Sequence, residues 1–482
     1  MTTEHRWRTL AVTLVVGFMT LLDVTIVNVA LPSIQRGLDA SPQGIQWIVS
    51  GYALTFGLTL VAGGRLGDVL GRRRMFLLGL GAFTLTSAAA GAAPNEELIV
   101  AARLLQGVAA GMLTPQNTGL IQDLFSGEER GRAFGIFGTT VGVSAAAGPV
   151  LGGLILAAFG EEHGWRFVFL VNVPIGLVAM VLAARLIPRG RRQDGRLRSE
   201  IDWLGAVLLG LAVLGFLLPL VESMGDPSTP LWLLLPVTGV CGWLFVRWER
   251  RLIRHGRSPL LDVRLFSRTP GYRSGIALGS IYFCGFSGIW LVLALFFQDG
   301  LGYTPLQSGL AVTPFAIGSA TSAVVAGRLV ERWHRWLTVA GLSLVVLGFG
   351  VLAVIVPATV PHHTALVVAA PLLVAGVGAG AVISPNVTIT LAEVPARMGG
   401  AAGAALQTGQ RLGSAVGAAV LAAAFRLSLH DMAPGDAVAV TFGCSIAFML
   451  VALAVALVEL HGRRTGRSVW GRGPDFEEAV AG

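Results

Sequence analysis

What most limits the folds open to this chain is the recurrence of apolar stretches long enough to cross a bilayer. The first begins near Leu10 and closes at Leu31-Pro32. At about 1.5 Å per residue it covers the ~30 Å hydrocarbon core of a membrane. Fourteen such stretches follow one another, near 10–31, 45–63, 75–93, 97–118, 132–157, 166–187, 203–221, 231–248, 274–297, 305–327, 337–357, 365–391, 399–424 and 437–460. Lipid offers the backbone no hydrogen-bond partner, so each stretch reads as a helix. The expected fold class is an all-α integral membrane protein with 14 transmembrane helices and both termini on one side. Composition agrees, since 13% of the 482 residues are charged and 54% are hydrophobic, against about 25% charged in a soluble domain.

Arginine sets the orientation. All 35 basic residues are arginine, and thirty of them lie at the N-terminus, in alternate loops and in the tail. Cytoplasmic loops carry the excess of positive charge, so both termini are expected in the cytoplasm of a multi-pass cell (inner/plasma) membrane protein. The net charge of +8 is thereby topological and calls for no nucleic-acid partner. Cys241, Cys284 and Cys444 lie in apolar runs, and the eight histidines are placed in loops or tails with one adjacent pair, His362-His363. Neither a disulfide framework nor a metal site is expected. No cleavable leader is expected either, because the first apolar run is long.

An internal repeat divides the chain. Gly64-Arg65-Leu66-Gly67-Asp68 is echoed by Gly327-Arg328-Leu329-Val330-Glu331, and Gly107–Gly111 with Pro115 by Gly376–Gly380 with Pro385. The reading is two pseudo-symmetric six-helix bundles, 1–187 and 271–460, joined by a linker, 188–270, with an inserted two-helix hairpin. Residues 461–482 form a cytoplasmic tail.

Polar residues inside apolar runs carry the chemistry. Asp23 lies about 12 Å below the outer end of its span and Arg103 about 9 Å below the outer end of span 4, so the two share a depth. Intramembrane charges usually mark an ion or substrate pathway. An arginine beside a carboxylate favours release of its proton, and movement or substrate binding that parts the two lets the proton return, which makes Asp23 and Arg103 proton-coupling candidates; the other reading is a permanent structural pair. Gln106 shares a face with Arg103. The loop Gly64–Arg74 needs glycine where it turns, and Asp68 with the arginines is suited to latch a neighbouring helix end. Span 5 carries Gly148-Pro149-Val150-Leu151-Gly152-Gly153, small residues for close packing and a proline bend. Asn28, Gln106, Gln407, Gln410 and Arg411 are candidates for contact with a substrate. Phe286, Trp290, Phe296 and Phe297 read either as core and lipid-facing residues or as a greasy wall.

Taken together these segments resemble the ordered signature motifs of the major facilitator superfamily. They are Leu22-Asp23-x-Thr25-Ile26-Val27-Asn28-Val29-Ala30-Leu31-Pro32, the loop Gly64–Arg74, Arg103-x-x-Gln106-Gly107 and Gly148-Pro149-x-x-Gly152-Gly153. Fourteen spans and Trp165-Arg166-x-x-Phe169-x-x-Asn172-x-Pro174-x-Gly176 are similar to its fourteen-helix drug:proton antiporter branch. The resemblance implies two rocking bundles and efflux of hydrophobic or amphiphilic drugs or antibiotics in exchange for protons. It implies no catalytic residue and no cofactor, the proton gradient being the energy source, and a monomer in the lipid bilayer. Asp23 and Arg103 become the proton-coupling pair, Gly64, Asp68, Gly71, Arg72 and Arg73 the conformational latch, and Gly148, Pro149, Gly152 and Gly153 the antiporter helix motif. The second latch copy departs from the pattern at Glu331 and at Arg332-Trp333-His334-Arg335, so only the first is expected to be fully equipped. The rival readings are an exporter dedicated to one metabolite, such as a self-made antibiotic or a siderophore, and a non-transporting membrane sensor. A membrane enzyme is disfavoured, as no intramembrane histidine or metal-ligand cluster is present.

Overall fold

The computed structural model describes residues 3–160, 162–188, 202–222, 230–269, 271–359, 363–395 and 398–464. Among these residues the chain is helical, with no strand. In order the helices are α1 (Thr3–Leu38), α2 (Pro42–Leu70), α3 (Arg72–Gly91), α4 (Glu96–Leu124), α5 (Gly127–Phe159), α6 (Gly164–Leu170), α7 (Asn172–Leu186), α8 (Trp203–Glu222), α9 (Leu234–Arg254), α10 (Leu265–Arg268), α11 (Tyr272–Leu295), α12 (Pro305–Trp333), α13 (Arg335–Ile355), α14 (Thr364–Leu391), α15 (Gly399–Asp431) and α16 (Pro434–Arg464). Thirteen helices among the described residues are long and apolar enough to cross a membrane, α6 and α7 together making one of them. The 33-residue α5 stands outside that count.

Local chemistry places the helix ends. Ser41 and Asn95 cap α2 and α4, their side chains accepting from Gly44 N at 3.0 Å and Leu98 N at 3.0 Å. Thr304 and Gln307 form a reciprocal capping box on α12, which satisfies two orphan donors at once. Pro174 cannot donate to the carbonyl of Leu170, and α6 ends there.

The helices fall into two compact units. One holds Met1–Phe125, Leu151–Val263 and Val394–Thr408; the second holds Ser126–Val150, Arg264–Glu393 and Gly409–Gly482. Helices α5 and α15 therefore each pass from one unit to the other. Within the first unit α4 packs on α2 and α3; within the second α14 packs on α12 and α13. Glycines permit both approaches, since a Cβ on Gly107 would stand 2.4 Å from Tyr52 O and one on Gly376 2.1 Å from Phe315 O. The repeat extends to the turns. Gly71 between α2 and α3 has φ 96°, and His334 between α12 and α13 has φ 44°. Glycine adopts such a conformation at little cost; in the second copy a histidine bears it.

The histidine placement differs from expectation in part. His5 lies in α1, His430 in α15 and His461 in α16, because these helices run beyond the apolar runs that define the spans. Residues 189–200, 361–362 and the tail from 465 lie outside the described residues, as does the side chain of Pro149.

Candidate functional site

Asp23 stands near the middle of α1 and is fully buried. Its Oδ2 accepts from Arg103 Nη1 at 2.6 Å. Its Oδ1 accepts from Gln106 Nε2 at 3.0 Å and from Asn172 Nδ2 at 2.9 Å. Helices α1, α4 and α7 thereby converge on one carboxylate. The arginine is held just as firmly. Its Nε donates to Ile48 O at 2.9 Å, Nη1 also donates to Gln106 Oε1 at 2.7 Å, and the guanidinium lies 4.1 Å over the Tyr52 ring. Gln106 Nε2 donates further to Ser87 Oγ on α3 at 2.6 Å. Asp23, Ser87, Arg103, Gln106 and Asn172 are each at most 1% exposed.

Such a cluster repays its desolvation only when nearly every polar atom is paired, and removing one member of a buried ion pair costs about 3–5 kcal/mol. The arrangement also constrains proton chemistry. A carboxylate accepts all three of these donors; a carboxylic acid must itself donate from one oxygen. A proton arriving at Asp23 therefore brings a new O–H donor to a carboxyl whose three side-chain partners all donate to it.

The loop after α2 forms a second polar centre in the same unit. Asp68 pairs with Arg72 at 2.9 Å and accepts the backbone N–H groups of Gly400 at 3.1 Å and Ala401 at 3.0 Å. These are first-turn donors of α15, which have no intrahelical partner and favour a negative charge. Arg72 also bonds Asp123 at the end of α4, and Arg73 donates to Ala184 O on α7. Gly64 makes the approach possible, since a Cβ there would lie 2.5 Å from Gly400 O. Around Gly71 there is open space, so glycine is required there by its positive φ alone.

The small-residue ridge of α5 divides between partners. Gly148 is buried and Gly153 half-buried. A Cβ on Gly152 would stand 3.2 Å from Ile26 O and from Val29 Cβ, one turn beyond Asp23 on α1. Earlier in α5, Gly131 and Gly135 pack on Gly327 and Ala323 of α12, as Cβ atoms there would lie 2.6 Å and 2.9 Å from their carbonyl oxygens.

The remaining site candidates separate. Asn28 is exposed, five residues beyond Asp23, whereas Gln106 is sealed within the carboxylate cluster. Gln407, Gln410 and Arg411 are half-buried on α15. Phe286 and Trp290 pack with Tyr282 and Phe315 in an aromatic group, ring centroids 4.5–5.8 Å apart, against the core of the second unit.

Sequence reasoning missed several buried polar groups. Arg335, read from the sequence as a loop arginine, begins α13 fully buried, with Nε on Glu459 at 2.8 Å and Nη1 on Asn386 at 2.6 Å. It stands where Arg72 stands in the first copy, with different partners. Asp202 caps α8 through Gly205 N at 2.9 Å and accepts from Trp248 Nε1 at 2.9 Å. Ser87, a partner of the Asp23 cluster, likewise had no local signal beyond being a polar residue in an apolar run, and Asn172 stood in the Trp165–Gly176 segment with no role assigned to it.

Comparison with known proteins bears on all of this. Residues 13–418 match the family model described as Major Facilitator Superfamily. The chain is 36% identical over 424 residues to a probable actinorhodin transporter of Streptomyces coelicolor, covering 87% of this chain and 72% of that one. It is 34% identical to the puromycin resistance protein pur8 of Streptomyces alboniger, covering 94% and 92%. Its fold matches that of the proton:xylose symporter XylE with TM-score 0.67 at 14% identity, over 100% of both chains. The chain belongs to the major facilitator superfamily of membrane transporters.

Proposed function

We propose that this protein is a drug:proton antiporter of the fourteen-helix branch, expelling hydrophobic or amphiphilic small molecules as protons enter. The observation that carries the reading is the buried cluster around Asp23, a membrane-embedded carboxylate held by three donors from α4 and α7. α5 completes fourteen spans with the thirteen already counted, and both termini are cytoplasmic. Asp23 and Arg103 form the coupling pair. Asp68, Arg72 and Arg73, with Gly64 and Gly71 shaping their loop, form a latch that holds α15 in one state and releases it in the other. Gly148, Pro149, Gly152 and Gly153 shape α5 for passage between states. Asn28, Gln407, Gln410 and Arg411 are the proposed substrate contacts. The protein acts as a monomer and takes its energy from the proton gradient.

Relatives named for resistance to many drugs support a broad substrate range: a multidrug resistance protein Stp and a drug efflux pump JefA of Mycobacterium tuberculosis, 32% and 33% identical. Relatives named for a single antibiotic favour a second reading, a dedicated exporter; these include a methylenomycin A resistance protein of Streptomyces coelicolor, 32% identical.

Ethidium uptake into inside-out vesicles tests the proposal. Uptake should follow an imposed proton gradient (acid inside) and collapse when an ionophore removes it. Uptake indifferent to the gradient would identify a facilitator. If ethidium is not carried but puromycin is, under the same gradient, the narrow reading is favoured.

A further inference from the structure

Asp23 has three side-chain partners, and they are not equally free. Arg103 is fixed by Ile48 O, Gln106 Oε1 and the Tyr52 ring. Gln106 has its orientation dictated from both ends, because its oxygen accepts from Arg103 and its nitrogen donates to Ser87 Oγ at 2.6 Å. Turning that amide would set NH₂ against a guanidinium. Asn172 is held more loosely, with Nδ2 on Asp23 at 2.9 Å and a long contact of 3.4 Å to Ser87 Oγ. An asparagine amide donates through one end and accepts through the other. By rotating about its last bond it can serve a carboxylate as donor and a carboxylic acid as acceptor.

We propose that Asn172 is the adjustable positioning residue of proton coupling: it donates to ionised Asp23, turns to accept from protonated Asp23, and so spares the buried site an unpaired donor. This rests on the antiport reading above. The position of Asn172 gives the rotation a mechanical outlet. It is the first residue of α7, directly after the interruption that Pro174 imposes behind Leu170. A segment lacking one backbone hydrogen bond yields more easily than a continuous helix.

Few other groups compete for this role. Among the charged and titratable side chains packed around Asp23, α4 supplies Arg103 and α2 the Tyr52 phenol, which lies 3.5 Å from Thr20 O. From α3 comes Ser87, and α6 carries Arg166, whose guanidinium is tied to Gly91 O at 3.1 Å and Ala93 O at 2.7 Å. Gly152 of α5 approaches α1 at Ile26 and Val29.

The test is pH-difference infrared spectroscopy on the purified full-length protein. The protonated-carboxyl band that disappears in Asp23→Asn reports Asp23 directly. In Asn172→Leu the acid's O–H loses its acceptor, so the protonated-carboxyl band should move to higher frequency than in the wild type. Should that variant fail to reach the membrane, Asn172→Ala removes the same acceptor without added bulk and should move the band likewise. A residue that merely fills space, or that only donates to the carboxylate, would leave the band's frequency in place. An unmoved band in either variant that reaches the membrane overturns the proposal. The vesicle assay keeps the two readings apart: gradient-independent ethidium uptake removes the antiport reading, whereas the infrared frequencies decide the role of Asn172 on their own.

Discussion

Asp23 concentrates the protein's chemistry because it is a charge in apolar surroundings whose every close partner is a donor. Replacing it with asparagine keeps the shape and imitates the protonated state, which a working antiporter must visit without unfolding. Asp23→Asn is therefore expected to fold and reach the membrane, to exchange substrate across a membrane without a gradient, and to lose gradient-driven uptake by at least tenfold. Paired vesicle assays of exchange and uptake check this. Gly71 offers a cleaner residue-scale test of the backbone. Its φ of 96° with open space around it means that Gly71→Ala meets no clash. The strain alone is expected to cost about 1–2 kcal/mol, read as a lower midpoint of thermal unfolding in detergent.

At the scale of helices, Asp68 joins the end of α2 to the first turn of α15. Asp68→Asn removes the charge that favours those two N–H groups, where each hydrogen bond to a charged group contributes about 1.5–3 kcal/mol. Amide exchange in residues 398–404 is expected to quicken, and gradient-driven uptake to fall. The α1–α5 approach can be tested by Gly152→Leu, whose side chain would press on Ile26 and Val29 beside the carboxylate cluster. Transport at the wild-type rate by that variant would remove the close approach from the account. Helix-scale features also mark how far the sequence can be read. The Gly64–Arg74 turn was legible because its glycines, aspartate and arginines are neighbours in the chain. Asp23 and Arg103 were legible by their shared depth. Asn172 was not, because it meets Asp23 across 149 residues, and nothing in an isolated Asn-x-Pro says which helix it faces. Arg335 was misread for a related reason. Its partners Asn386 and Glu459 stand 51 and 124 residues away, so charge placement alone assigned it to the cytoplasmic surface.

For the whole molecule, arginine distribution predicts a topology. A fluorescent protein that matures only in the cytoplasm should light up when fused after residue 464, and a periplasmic reporter inserted at Gly160 should be active. Inversion of either result would contradict the orientation. Similar helices recur about 265 residues apart, and α5 and α15 each divide between the two units, with the larger part of each in the second, an arrangement set by packing between distant segments.

The central claim is that substrate leaves as protons enter through the Asp23 cluster. Its most direct test uses purified protein in liposomes loaded with ethidium and a pH-sensitive dye, with no gradient of protons at the start. Downhill ethidium movement should drive protons the opposite way in the wild type, and in Asp23→Asn ethidium should exchange with no proton movement. Proton movement that persists in Asp23→Asn, or ethidium movement without protons in the wild type, would contradict the account.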